Sequence, residues 1–170
     1  MKKSITILLF TLFFINITNA QIIIGTDINN ITSTTSSLIQ FQDNNSKGII
    51  LPANTQTPTS PTNGTFLYDQ TDQKVKMYEN NSWVNLSDIG DNSSLVKNVS
   101  DDNGDGIILG ANSSSARGVL VLESSEKALV LPRVNDPVAT VISPYPGMIC
   151  YDTTSKTIAI FDGKKWNFWK

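Results

Sequence analysis

Carboxylates in two turn clusters are the residues of this chain with the clearest potential for chemistry. Asp69 and Asp72 lie close together in one cluster, and Asp152 occupies the matching place in the other. A pair of carboxylates can work as general acid and general base. Aspartate is also favoured in turns, because its side chain accepts hydrogen bonds from the backbone that follows. We favour the structural interpretation and assign no catalytic residue.

The residues that usually accompany such carboxylates in enzymes are missing from the sequence. The chain contains no histidine, which removes Ser-His-Asp and Cys-His nucleophile systems and the commonest ligand of transition metals. Cys150 is the single cysteine, so an intrachain disulfide is excluded, and we expect it to pack as a small hydrophobic residue. The sequence therefore predicts a protein that is not an enzyme and that needs no cofactor.

A partial calcium motif lies in a polar segment in the middle of the chain. Asp101, Asn103 and Asp105 place oxygen ligands at alternate positions, as the first half of a calcium loop does. Asn112 stands where such a loop needs a bidentate glutamate. We therefore expect a turn here and assign no metal, and the three residues remain a calcium candidate on the partial motif alone.

Tryptophan provides another kind of candidate site. Trp83, Trp166 and Trp169 could line a face on which sugar rings stack. The alternative is that Trp83 and Trp166 anchor hairpins by burying their large rings. We favour this structural role for those two residues, and leave Trp169 as the indole that is more open to a ligand contact.

An internal repeat positions most of these residues. The segment from Gly64 to Trp83 aligns without a gap with the segment from Gly147 to Trp166. The shared signature consists of Gly64, Tyr68, Asp69 and Trp83 in the first copy and of Gly147, Tyr151, Asp152, Asp162, Gly163 and Trp166 in the second. Apolar runs that alternate with turn clusters predict a three-stranded β-meander for each copy.

The resemblance between the copies continues upstream of each meander. Leu38–Pro52 aligns without a gap with Gly118–Pro132, and Ile39 then matches Val119. The fold predicted is all-β, with two tandem repeats that each contain an extended strand pair and a three-stranded meander. One short helix is predicted near residues 136–142, because Pro137 suits the first turn of a helix.

The remaining segments complete the domain organisation. Residues 1–20 have the charged start, the apolar middle and the small residues before a cleavage site that are typical of a secretory signal peptide. An uncleaved anchor is disfavoured, since the apolar run is too short to span a bilayer. We expect a signal peptide at 1–20, a first module at 21–86, a polar linker at 87–106 and a second module at 107–170. The protein would be secreted or held at the cell surface, with no membrane span after cleavage.

Charge and size indicate which partners to expect. The chain has 13 basic and 15 acidic residues, and no basic stripe predicts binding to nucleic acid. A repeat of about 65 residues is small for an independently stable unit. Gly118–Leu122 and Leu129–Leu131 are apolar at consecutive positions, which indicates burial on both faces of a strand. We therefore expect a homo-oligomer.

Motifs in both copies resemble a known module. The second copy carries it as Lys127-Ala128-Leu129, Leu131-Pro132-Arg133, Gly147, Tyr151-Asp152-Thr153, Phe161-Asp162-Gly163 and Trp166. The first copy lacks the arginine and the Asp-Gly turn. The pattern resembles a module that is common in secreted surface proteins of Gram-negative bacteria and in phage tail-fibre-like proteins. The resemblance implies a stalk, adapter or fibre segment without catalytic residues, and it favours a trimer.

Two functional hypotheses follow. The first is a secreted, non-catalytic structural or adhesive protein of a cell surface or fibre, whose partners include other surface proteins or glycans. The alternative is a carbohydrate-binding module that acts through the exposed aromatic residues Trp169, Trp166 and Trp83.

Overall fold

The computed structural model describes residues 21–26, 36–96, 104 and 106–170. Within these residues the regular secondary structure consists of β-strands and one short helix. The predicted all-β class is therefore confirmed. The predicted signal peptide and residues 97–103 and 105 of the predicted linker lie outside the described residues.

Each repeat supplies seven of the described strands. The strands of the first repeat are β1 (Ile22–Ile24), β2 (Ser37–Phe41), β3 (Ile49–Ile50), β4 (Ala53–Asn54), β5 (Phe66–Asp69), β6 (Lys74–Glu79) and β7 (Ser82–Asn85). Those of the second are β8 (Ile107–Leu109), β9 (Leu120–Leu122), β10 (Ala128–Leu129), β11 (Arg133–Val134), β12 (Met148–Asp152), β13 (Thr157–Phe161) and β14 (Trp166–Trp169).

The two predicted meanders form. Strands β5, β6 and β7 are antiparallel neighbours, and so are β12, β13 and β14. A short parallel strand, β4 or β11, lies at the outer edge of each. The second hairpin of each meander turns through left-handed backbone at Asn80 (φ 48°) and at Gly163 (φ 98°). Asparagine and glycine are the residues that adopt this conformation at least cost.

The helix α1 (Pro137–Thr140) lies where the sequence predicts it, between β11 and β12. The carboxylate of Asp136 accepts a hydrogen bond from the backbone N–H of Ala139 at 3.2 Å. Pro137 occupies the start of the helix, where a missing N–H has no consequence. The shorter connection between β4 and β5 in the first repeat has no helix among its residues.

The two repeats are interlocked rather than merely joined. Strand β3 of the first repeat pairs antiparallel with β12 of the second. Strand β10 of the second repeat pairs in parallel with β2 of the first, so that the sheet order is β1-β2-β10. Strands β8 and β9 form a separate parallel pair. Whether either module folds alone stays a prediction.

The hydrophobic core confirms this interlocking. One cluster combines Tyr68, Val75 and Leu86 of the first repeat with Ile149 and Ile160 of the second. A second cluster lies within the second repeat and consists of Val134, Val141, Met148, Cys150 and Ala159. No helix in the described part of the chain is long and apolar enough to cross a membrane.

The strand register corrects one detail of the sequence alignment. Ile22 pairs with Ile39 in the first repeat, whereas Ile107 pairs with Leu120 in the second. Leu120, and not Val119, is therefore the counterpart of Ile39. The ungapped alignment was wrong by one residue here, because Ile49 follows Phe41 by eight positions, whereas the corresponding Leu129 follows Leu122 by seven.

Candidate functional site

The carboxylate of Asp69 is held at the end of β5 by a lysine and by backbone. It accepts hydrogen bonds from the backbone N–H groups of Thr71 at 2.9 Å and Asp72 at 3.1 Å. Lys76 Nζ donates to Asp69 Oδ2 at 2.7 Å and also to Asp72. Burial alone would raise the pKa of Asp69, but these hydrogen bonds and the lysine charge outweigh it and lower the pKa. The carboxylates of Asp69 and Asp72 thus both pair with the ammonium group of Lys76.

Asp152 occupies the equivalent turn with different partners. It accepts hydrogen bonds from the backbone N–H groups of Thr154 at 2.9 Å, Ser155 at 3.2 Å and Asp136 at 3.2 Å. Burial would raise the pKa of Asp152, yet the hydrogen bonds to the ionised form lower it. A general acid would need the opposite shift. The geometry therefore gives Asp69 and Asp152 a turn-stabilising role.

The Asp-Gly turn of the second meander lies at a contact between the repeats. The buried Asp162 side chain accepts from the backbone N–H of Lys164 and of Lys165, both at 2.8 Å. Its backbone carbonyl accepts from the N–H of Asp91 at 3.0 Å. A Cβ at Gly163 would lie 1.7 Å from the Asp91 carbonyl oxygen. Gly163 is therefore required for close approach as well as for its left-handed backbone.

The two signature tyrosines differ in environment. Tyr68 is fully buried, and its hydroxyl donates to the Asp162 carbonyl at 3.2 Å, across the two repeats. Burial, with smaller effects of the Asp162, Asp91 and Asp69 charges, raises the pKa of Tyr68 to about 12. Tyr151, its counterpart in the second repeat, is only half-buried. Both follow a glycine with positive φ, 91° at Gly64 and 84° at Gly147.

The tryptophans do not form one stacking face. Trp83 packs against Tyr78 with ring centroids 5.2 Å apart, and Trp166 packs against Phe161 at 5.4 Å. Trp166 and Trp169 project to opposite faces of β14, since side chains alternate along a strand. Trp169 is 41% exposed, but its Nε1–H donates to the Leu86 carbonyl at 2.6 Å. An open cleft beside it is lined mostly by polar groups.

The other two candidates contribute no site that the structure describes. Cys150 is buried, and burial, followed by the Asp152 charge, raises the pKa of its thiol to about 12. A thiol in this state is a poor nucleophile. The calcium candidates Asp101, Asn103 and Asp105 lie outside the described residues.

An apolar surface is exposed on, or directly beside, the upstream parallel strands of the two repeats. Its exposed members are Ile22, Ile23, Ile24, Ile107, Val119, Leu120 and Leu129. The sequence predicts burial for Gly118–Leu122 and Leu129–Leu131, but in the single chain Val119, Leu120 and Leu129 remain accessible to solvent. Ile107 and Leu120 are paired residues of β8 and β9, and exposed apolar side chains grouped in this way are typical of an interaction site.

One comparison with known proteins bears on this surface. Residues 106–170 match the family model described as a phage tail like trimerisation region. A search of curated proteins and a search of solved structures each returned no match. The matched segment is the second repeat, which contains β8, β9 and β10, and the match supports a structural, tail-fibre-like module that forms a homo-oligomer.

Proposed function

We propose that this chain forms a homotrimer and serves as a non-catalytic structural element of a fibre or surface assembly outside the cell. The observation that carries the proposal is the exposed apolar surface on strands β8 and β9, inside the segment that is similar to a trimerisation region. Copies of the chain around a symmetry axis would bury this surface.

The hydrophobic effect supplies the driving force. Val119 is 62% exposed and Leu120 48% exposed in the single chain. Burying one such side chain fully contributes about 1.5–3 kcal/mol. A trimer repeats each contact three times, and this burial acts against the entropy that the chains lose on association.

Export belongs to the same proposal. Residues 1–20 have the sequence pattern of a cleaved leader, and a fibre component that acts outside the cell needs such a route. Expressing the whole chain in a Gram-negative host and sequencing the amino terminus of the exported protein tests this step. We expect the exported chain to begin at Gln21.

The carbohydrate-binding alternative receives less support. Two of the three indoles pack on neighbouring aromatic rings, and the third donates its N–H to a backbone carbonyl. Adhesion to glycans or to other surface proteins remains part of the proposal only as a consequence of display on a fibre.

Sedimentation equilibrium of the exported chain tests the trimer. We expect a mass of three chains at micromolar concentration and a melting temperature that rises with protein concentration. A folded monomer with a concentration-independent melt would refute the proposal. A glycan array, with Trp169→Ala as control, tests the alternative.

A further inference from the structure

Two strand pairings form the junction between the two repeats of one chain. On one side of this junction, β3 pairs with β12, and the N–H of Leu51 donates to the Gly147 carbonyl at 3.0 Å. On the other side, β10 pairs with β2, and the N–H of Val130 donates to the Ile39 carbonyl at 3.1 Å.

Every strand of this junction has a counterpart in the other repeat. Strands β2 and β9 correspond, because each pairs in parallel with the first strand of its repeat. The backbone N–H of Gln42 donates to the Ile24 carbonyl, and the backbone N–H of Glu123 donates to the Leu109 carbonyl in the same way. Strands β3 and β10 correspond as well, since a proline follows each of them, Pro52 or Pro132. The carbonyl of this proline accepts a hydrogen bond from the backbone N–H of Tyr68 or of Tyr151, respectively.

The counterparts differ in what covers them. Strand β2 carries β10 on its outer edge, and Leu38 and Ile39 are only 6% and 3% exposed. Strand β9 has no strand of the described residues on its outer edge. Val119 and Leu120, which correspond to Leu38 and Ile39, are the exposed residues named above. Within the described residues, the second repeat therefore has no strand at the position where β10 completes the sheet of the first repeat.

The strand that corresponds to the missing one has a free edge. The counterpart of β10 is β3, and its Leu51 N–H is directed toward β12. Because backbone groups alternate along a strand, the N–H of Ile50 is directed to the opposite side. That edge of β3 pairs with no strand in the described part of the chain. Within the described structure, β3 and β9 of the same chain do not pair.

We propose that β3 of one copy pairs in parallel with β9 of a second copy, so that the N–H of Ile50 donates to the Leu120 carbonyl of that copy. This rests on the proposed function and names the surface by which the oligomer forms. The interface is heterologous, so it closes into a ring if the rotation per chain allows it. The similarity to a trimerisation region indicates a ring of three.

The contact between Tyr68 and Gly147 within the chain also has a counterpart between copies. A Cβ at Gly147 would lie 3.1 Å from Tyr68 Cβ, whereas a Cβ at Gly64 would have no neighbour within 4 Å. The half-buried Tyr151 of a second copy is the counterpart that would fill the space beside Gly64.

The junction within the chain and the proposed junction between copies differ at one residue position. Gly48 lies so near β12 that a Cβ there would be 2.6 Å from the Ile149 carbonyl oxygen. Its counterpart is Ala128, which has such a Cβ. Strands β10 and β5 of neighbouring copies must therefore remain farther apart than β3 and β12 do. The junction within the chain and the junction between chains then alternate, and the ring has threefold rather than sixfold symmetry.

A cysteine pair tests the strand pairing in the whole exported chain. The register of β10 on β2 places Leu129 opposite Ile39. The equivalent register places Ile49 opposite Leu120, and therefore places the next residues, Ile50 and Val121, opposite each other. Paired Cα atoms in adjacent strands lie within disulfide range. Under mild oxidation, Ile50→Cys/Val121→Cys should give a covalent species of three chains, which reductant returns to single chains. Ile50→Cys/Ile142→Cys is the control, because Ile142 is 92% exposed and lies on no junction strand.

A charge substitution provides a second readout that does not depend on oxidation. Val119→Lys should weaken trimer formation at least tenfold, because it places an ammonium group in the interface. Val138→Lys is the matched control, since Val138 is also 62% exposed but lies on helix α1. This control should leave the oligomer unchanged.

The outcomes separate the pairing from the proposed function. A trimer that forms no crosslink and is indifferent to Val119→Lys would overturn the β3–β9 pairing and leave the trimer standing. A ladder of covalent species beyond three chains would overturn the closed ring. A monomer in sedimentation would overturn both proposals.

Discussion

The two meanders share a backbone design but cover one face in different ways. In the first, Lys76 lies on that face in β6 and binds Asp69 and Asp72. In the second, the same strand position is Ala159, which is fully buried in the cluster beside the helical connection. A longer connection thus supplies apolar cover in the second repeat, whereas a lysine and two carboxylates supply polar cover in the first. The same strands tolerate either solution.

This comparison extends to the turn carboxylates. Asp69 needs the lysine because no other charged or backbone group from outside its turn donates to it among the hydrogen bonds described. Asp152 instead receives an additional N–H from Asp136, which caps helix α1. The helical connection therefore replaces the lysine electrostatically as well as sterically.

The largest effect should come from the tyrosine shared by both repeats. Tyr68→Ala should lower the free energy of unfolding by about 4 kcal/mol, as truncation of a buried aromatic residue does. Tyr151→Ala should cost about half as much in a dissociated chain, since its ring is half-buried. Urea titrations measured under monomeric conditions would test the order. Equal losses would contradict the asymmetry between the repeats.

Unfolding of the Tyr68 variant also tests the shared core. Because this core combines residues of both repeats, Tyr68→Ala should shift a single transition rather than split it. Tyr68→Phe removes only the hydrogen bond to Asp162 and should cost about 1 kcal/mol. Two separate transitions would show that the repeats are independent.

The next effect concerns the lysine. Lys76→Ala gives the first meander the alanine that the second meander has at Ala159, but the first meander has no covering helix among the described residues. The substitution also leaves the largely buried Asp69 carboxylate without its cation. Losing one partner of such a pair should cost about 3 kcal/mol. Lys76→Ala/Asp69→Asn should recover part of this loss, because it removes the unpaired charge. A double variant no more stable than Lys76→Ala would contradict the electrostatic explanation.

Acid should remove the stabilising contribution of both turn carboxylates. The pKa values of Asp69 and Asp152 are both lowered from 3.8, so their ionised forms stabilise the folded state. This contribution is present above about pH 4 and is lost as the pH falls through the lowered values. Asp152→Asn should cost about 2 kcal/mol at pH 7 and nothing at low pH.

Added salt should distinguish the stabilising contribution of Asp69 from that of Asp152. The attraction between the Asp69 and Lys76 charges is only partly screened by salt because the pair is largely buried, but it is more sensitive to salt than the hydrogen bonds from neutral N–H donors to Asp152. The cost of Asp69→Asn should therefore fall more with ionic strength than the cost of Asp152→Asn. Melting temperatures at two salt concentrations would show this, and identical salt dependence would contradict it.

The sequence predicted the meanders because their signals are local. The period-two apolar pattern and the Asp-Gly turn act within a few residues, and helix α1 follows from Asp136 and Pro137 in the same way. The pairing of β3 with β12 and of β10 with β2 carries no such signal, since strands of two residues have little pattern of their own.

The site residues were only partly predictable for a related reason. A carboxylate in a turn reveals its backbone partners, but Lys76 and Asp69 meet only because β5 and β6 pair in register. Similarly, Asp162 could be recognised as a turn residue, whereas its contact with Tyr68 depends on how the repeats interlock. Apolar runs at consecutive positions were the sequence signal of the surface that we propose as the interface between copies.

The smallest effect should come from the last tryptophan. Trp169 occupies the position that Leu86 has in the first repeat, and its Nε1–H donates to the carbonyl of Leu86 itself. Trp169→Phe keeps an aromatic ring on β14 but removes this bond, which should cost about 0.5–1 kcal/mol. Because the ring is partly exposed, little packing is lost. Thermal melts against wild type measure the difference, with Trp83→Phe as a control that breaks no described hydrogen bond. A loss of several kcal/mol would show that Trp169 connects the repeats far more strongly than one bond can.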